Sequence, residues 1–140
     1  MRISEKPKSI PDRALFNQKA KTTTSVTATE SESNAILFEA GETLTAFTPV
    51  YLSSGKLYNC GTAHAVQFIT LAAAATGDTI AVTNLGIVQH GFVSVGDIWL
   101  NNATYSNTAD ITVGRFLQKL GIQITATKAF INIGVAYRNV

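Results

Sequence analysis

From Ile36 onward the chain is a succession of short apolar runs, among them "AILFE", "PVYLS", "AVQFITL", "TIAVT", "DIWLN", "DITVG", "RFLQKL" and "KAFINIG". Gly, Asn, Asp or Ser stands at most of the junctions. Runs this short, closely spaced and without a sustained helical period, predict an all-β fold: a small antiparallel β-barrel or sandwich. Within the runs, Val50 and Leu52 share one face while Tyr51 takes the other. Ile98 and Leu100 likewise oppose Trp99, and Ala129, Ile131 and Ile133 oppose Phe130. A sheet in water needs only one apolar face. Large aromatics on the second face predict that it too is covered, most simply by copies of the same chain. Tyr51, Trp99 and Phe130 are therefore the expected oligomer interface.

Three runs open on the same device: "GETL", "GDTI" and "GDIW". A glycine gives a permissive backbone, and the acid after it can bond nearby amides. This reading makes Glu42, Asp78 and Asp97 turn corners rather than metal ligands or catalytic carboxylates. The Ala72–Ala75 run before the second of them fits either one helical turn or a crossover of small residues.

Upstream the texture changes. Residues 19–34, "KAKTTTSVTATESESN", have Val26 as their only large apolar side chain, too little burial to offset the entropy of ordering them. Before them, "SIPDRALFNQKA" predicts a short helix, with Pro11 at its first position, Asp12 in its first turn, and Leu15 and Phe16 as an apolar patch. Residues 1–21 hold Arg2, Lys6, Lys8, Arg13, Lys19 and Lys21 against Glu5 and Asp12, six minus two, or +4. The whole chain is +2, so the rest carries −2. Every glycine lies at or after Gly41. The chain thus divides into an extended basic N-terminal arm, residues 1–34, that orders on a partner, and a β-barrel body, residues 35–140. Fully extended, the arm would reach roughly 110 Å at about 3.3 Å per residue.

The body has the composition of a sheet protein, with few charges and many β-branched residues. Its single cysteine, Cys60, excludes an internal disulfide and a cysteine metal cluster, and is expected to pack as a small inert group. His64 and His90 are the only histidines and stand 26 residues apart, without the spacing of a zinc site. A triad of His90, Asp78 and Ser94 has no nucleophile elbow to support it. The glycines are scattered singly, so no phosphate loop or dinucleotide fingerprint is present. No enzyme activity, cofactor or metal is expected. The stretch "DIWLNNATYSN" has the composition of a carbohydrate platform, with Trp99 and Tyr105 beside asparagines. The arm's charge suits phosphate binding. With Phe16 as its only aromatic, however, it suits stacking on nucleic acid poorly, and a protein surface is the favoured partner. No apolar run is long enough to span a bilayer, the N-terminus lacks a secretory pattern, and Asn102-Ala103-Thr104 reads as a polar loop rather than a glycosylation site.

Taken together, "AAAATGDTIAVTNLGIVQ", "VSVGDIWLNN" and "VGRFLQKLGIQITATKAFINIG" resemble the small β-barrel proteins of tailed phages: capsid decoration or cement proteins and the related barrels of head and tail fibres. The resemblance spans about residues 41–134. It implies a homotrimeric virion protein, made in the host cytoplasm, that sits on the capsid surface and stabilises the head, with the major capsid protein as its partner. Such proteins often attach through an extended N-terminal segment. That would assign capsid binding to Arg2, Lys6, Lys8, Arg13, Leu15, Phe16, Lys19 and Lys21. The alternative is a tail-associated receptor- or carbohydrate-binding barrel using Trp99, Tyr105 and the Asn-rich loop.

Overall fold

A computed structural model describes residues 34–140, all β with no helix among them. The helix expected around Leu15 and the arm's basic residues lie outside the described residues. Strands β1 (Ile36–Ala40), β2 (Pro49–Ser53), β3 (Lys56–Asn59), β4 (Phe68–Thr70) and β5 (Thr79–Thr83) close into a barrel in the order β1-β3-β2-β4-β5. Closure comes from antiparallel pairing of β1 with β5, Ile36 opposite Val82 through Glu39 opposite Thr79. The β1–β3 pair is parallel; the other barrel pairs are antiparallel.

A second, antiparallel sheet has the order β6-β11-β10-β7-β8. It is built from β6 (Leu85–Val88), β7 (Gly96–Asn101), β8 (Thr104–Ser106), β10 (Lys119–Thr125) and β11 (Lys128–Asn132). Strands β9 (Phe116–Leu117) and β12 (Tyr137–Arg138) form a two-stranded ribbon beside it.

Local chemistry explains the tight connections. The β2–β3 hairpin turns through Ser54 and Gly55, both at positive φ, and β7–β8 through Asn102 and Ala103, at φ 52° and 68°. Two positive values in a two-residue loop match the twist of the strands they join. Gly77 and Gly96 also lie at positive φ (90° and 137°), so these glycines before Asp78 and Asp97 are required by the backbone. Ala72–Ala75 is a crossover rather than a helical turn, and Ala74 bridges to Leu44 through two backbone hydrogen bonds.

Two cores result. The barrel's own interior is Ala40, Leu44, Val50, Leu57, Ile80 and Val82. The larger one joins Cys60, Val66 and Ile69 to the inner face of the second sheet, where Val88, Ile98, Leu100, Leu120, Ala129 and Ile131 lie. Full burial of each large side chain contributes about 1.5–3 kcal/mol. Gln118 and Tyr105 tie the two parts together. The buried Gln118 amide accepts from Val66 N and donates to Val66 O, both at 2.8 Å, and donates to Gly134 O at 3.0 Å. The Tyr105 hydroxyl donates to Phe47 O at 2.6 Å.

Strand β10 departs from simple alternation. Its pairing with β7 shifts between Lys119 and Gly121. The bulge puts Leu120 inside and turns Ile122 and Ile124 outward, each 44% exposed, while Gln123 is fully buried.

Candidate interaction surface

The outer face of the second sheet follows from the register. Ile122 stands opposite both Phe130 and Asp97, Lys119 opposite Trp99, and Phe130 opposite Ile87. Trp99 and Phe130 are half-buried on this face, while their neighbours in sequence, Ile98, Leu100, Ala129 and Ile131, fill the core. Tyr51 lies elsewhere. It is on the barrel, packs against the larger core, and stacks on His64 at 3.8 Å. Two of the three expected interface aromatics, Trp99 and Phe130, therefore share one sheet face, on strands separated by β10.

At the bulge the outer face opens into a pocket of about 260 Å³ lined by Lys119, Gly121, Ile122, Phe130, Asn132 and Gly134. The charge at its rim is already paired, since Lys119 Nζ lies 3.0 Å from Asp97 Oδ1. The expected corner acids thus diverge in role. Glu42 accepts from the Asn59 amide at 2.7 Å, Asp97 pairs with Lys119, and Asp78 is an exposed turn residue whose carbonyl accepts from Ala40 N. Among the described residues no three His, Cys, Asp or Glu side chains come together as a metal site.

A second amide-binding acid besides Glu42 is Asp110, in a stretch that patterning assigns to a strand. Residues 110–114 are a loop because this carboxylate binds the backbone. It accepts from Thr112 N at 2.9 Å and from Asn102 N at 3.0 Å, and Arg115 lies 3.5 Å away. Asn139 Nδ2 fastens the same loop, donating to Asp110 O and Thr112 O. The side chains this loop carries outward are apolar: Ile111 is 82% and Val113 74% exposed.

The Thr112 and Asn102 amides, with Arg115 adding less, hold the Asp110 carboxyl at about 2. A folded-state value below the ordinary 3.8 means that its stabilisation is complete above about pH 4 and is lost as pH falls toward 2. Asp110→Asn should therefore melt lower than the parent at pH 7, with the gap narrowing between pH 4 and pH 2. Parallel thermal melts that keep a constant gap over that range would remove Asp110 from this role.

The remaining candidates are packed inside. Burial pushes the Cys60 thiol up to about 12, and its Sγ donates to Ala65 O. His90 stacks on Phe47 at 3.8 Å and meets Phe92 edge-on, and burial pushes its imidazole down. Among the described residues no hydrogen bond joins it to Asp78 or Ser94. Tyr105 stands opposite Leu100 and faces inward against Phe92, whereas Trp99 faces outward. A carbohydrate platform made of both rings is therefore not built. The neighbouring amides are also engaged, with Asn101 donating to Thr108 O and Asn107 to Ser94 O and Asp97 O. Arg2, Lys6, Lys8, Arg13, Leu15, Phe16, Lys19 and Lys21 lie outside the described residues. No protein-family model matches the chain, and no curated protein matches it significantly.

Proposed function

We propose that the chain is a structural protein of a tailed-phage virion, a homotrimer that attaches through its basic N-terminal arm to the outside of the capsid and decorates or stabilises the head. The observation that carries this reading is the division of charge. Six basic residues fall in the first 21 positions, whereas residues 34–140 hold five basic and five acidic side chains. Three of those pairs are made internally, Lys56 with Glu39, Arg115 with Asp110 and Lys119 with Asp97. A neutral body offers little to a charged surface, so attachment falls to the arm, with Leu15 and Phe16 as its apolar anchors. No catalytic step belongs to this reading; its action is added contact across the capsid shell.

The test is decoration of tailed-phage heads that lack the protein. Among the described residues, two cores are built entirely after Asn34, so a chain beginning there should keep its β-type circular dichroism while its occupancy on heads falls at least tenfold. Binding of the full chain should weaken as salt rises, because exposed charges are screened within about 10 Å at 0.1 M. Full occupancy by the shortened chain would reject attachment through the arm. Salt-sensitive DNA binding lost with residues 1–21 would instead favour a nucleic-acid binder.

A further inference from the structure

The geometry points to a head-to-tail contact between copies of this chain, in which the apolar tip Ile111/Val113 of one copy fills the pocket between Ile122 and Phe130 of the next. The inference deepens the oligomeric part of the function proposed above and rests on that part alone.

The two halves of the contact are both present in one chain, at opposite ends of one ribbon. Gly134 N bonds to Lys119 O at the pocket rim, and pairing continues through Leu117 opposite Tyr137 and Phe116 opposite Arg138. It ends where Asn139 and Gly114 bond at the far end. Lys119 and Val113 are six positions apart, up to about 20 Å of strand. The ladder holds the tip away from the pocket of its own chain, so a tip that enters this pocket comes from a second copy.

The tip has the properties of an anchor. Two β-branched side chains stand in water at 82% and 74% exposure, on a loop fixed by the Asp110 carboxylate and the Asn139 amide. A pre-formed apolar projection loses little conformational freedom on docking. The pocket suits it in size and chemistry. An apolar cavity of about 150 Å³ already admits benzene, and this one is about 260 Å³. The exposed isoleucines Ile122 and Ile124 and the half-buried Phe130 extend its apolar wall. Lys119 is neutralised by Asp97, so the pocket offers no unpaired charge to an acidic or basic partner. A body with equal numbers of acidic and basic side chains has no net repulsion from its own copy. Because the two surfaces differ, the contact is heterologous; under the homotrimer reading above it closes as a ring of three copies.

Sedimentation velocity on the full-length chain, with no phage heads present, tests this. Ile111→Asp/Val113→Asp removes the tip and Ile122→Asp blocks the pocket; both sites are exposed, so each variant should keep its circular dichroism. Ile111→Ser/Val113→Ser and Ile122→Ser replace any that do not. The parent should sediment as a closed oligomer and each variant alone as a 14.9 kDa monomer. An equal mixture of tip and pocket variants should form a complex of two chains and nothing larger, because each supplies the half the other lacks. A parent chain that stays monomeric at 100 micromolar overturns the inference, as does a tip variant that assembles like the parent, or a mixture that remains monomeric. A monomer that still decorates heads overturns this contact and leaves arm attachment standing; a ring that binds no heads does the reverse.

Discussion

Replacing Gln123 with leucine should lower the stability of the folded chain by roughly 3–5 kcal/mol, a large share of the 5–15 kcal/mol typical of a domain. The two side chains are close in volume, so the loss comes from polarity rather than from a cavity. Gln123 is fully buried. Its Nε2 donates to His90 O at 2.8 Å, Thr125 O at 2.9 Å and Lys128 O at 3.1 Å. Its Oε1 accepts from Phe92 N at 3.0 Å and Val93 N at 3.4 Å. One amide thus supplies the hydrogen bonds that residues 90–93 would otherwise draw from a neighbouring strand. Leucine leaves these amides and carbonyls without that partner, and each buried group left unsatisfied costs about 1–3 kcal/mol. Urea denaturation followed by circular dichroism measures the change. A loss below about 1 kcal/mol would mean that water or a backbone shift replaces the amide.

Gly121→Ala should cost on the order of 3 kcal/mol and disturb the pairing of β10 with β11. A Cβ at this position would overlap the carbonyl oxygen of Phe130 and stand 3.0 Å from Cα of Ile131. These are backbone atoms in the centre of the sheet, and they cannot move aside as the end of a flexible side chain would. Relief requires the two strands to separate at the bulge, which also redirects Ile122 and Gln123 on either side. The melting temperature should fall by more than 10 °C, since 1 kcal/mol corresponds to about 4–8 °C in a domain near this size. An unchanged melting temperature would show that the strands meet less closely than described.

The class of fold was legible because alternation is a local property. In "PVYLS", "DIWLN" and "KAFINIG" every second residue carries the burial information, and Val50, Ile98, Leu100, Ala129 and Ile131 are all interior. What the pattern hid was the effect of one bulge. Leu120, Ile122 and Ile124 have the spacing of a single strand face, yet Leu120 is inside and both isoleucines are out. Gln123, polar and flanked by isoleucines, would be placed outside by the same rule; its place within is explained by its partners, the nearby Thr125 and Lys128 carbonyls together with His90 and Phe92, more than 30 residues away. The stretches "FVSV" and "DITVG" look like strands in sequence but are loops, because side chains of Gln123 and Asp110 take over their backbone amides. The aromatics Trp99 and Phe130 were identifiable as second-face residues. The Ile111/Val113 tip was not, since nothing local distinguishes an exposed apolar pair from a buried one.

The separation of the two cores also orders events during synthesis. All six interior residues of the barrel lie between Ala40 and Val82, and its closing pairs with β1 involve no residue beyond Val82. The barrel can therefore close once Thr83 has left the ribosome, before the strands that complete the second core have emerged. Until then Cys60, Val66 and Ile69 wait on its surface for Leu120, Ala129 and Ile131. A lesion in the first core should therefore stop the nascent chain at the outset. One in the second should leave a closed barrel with an open apolar side, the species a chaperone would hold.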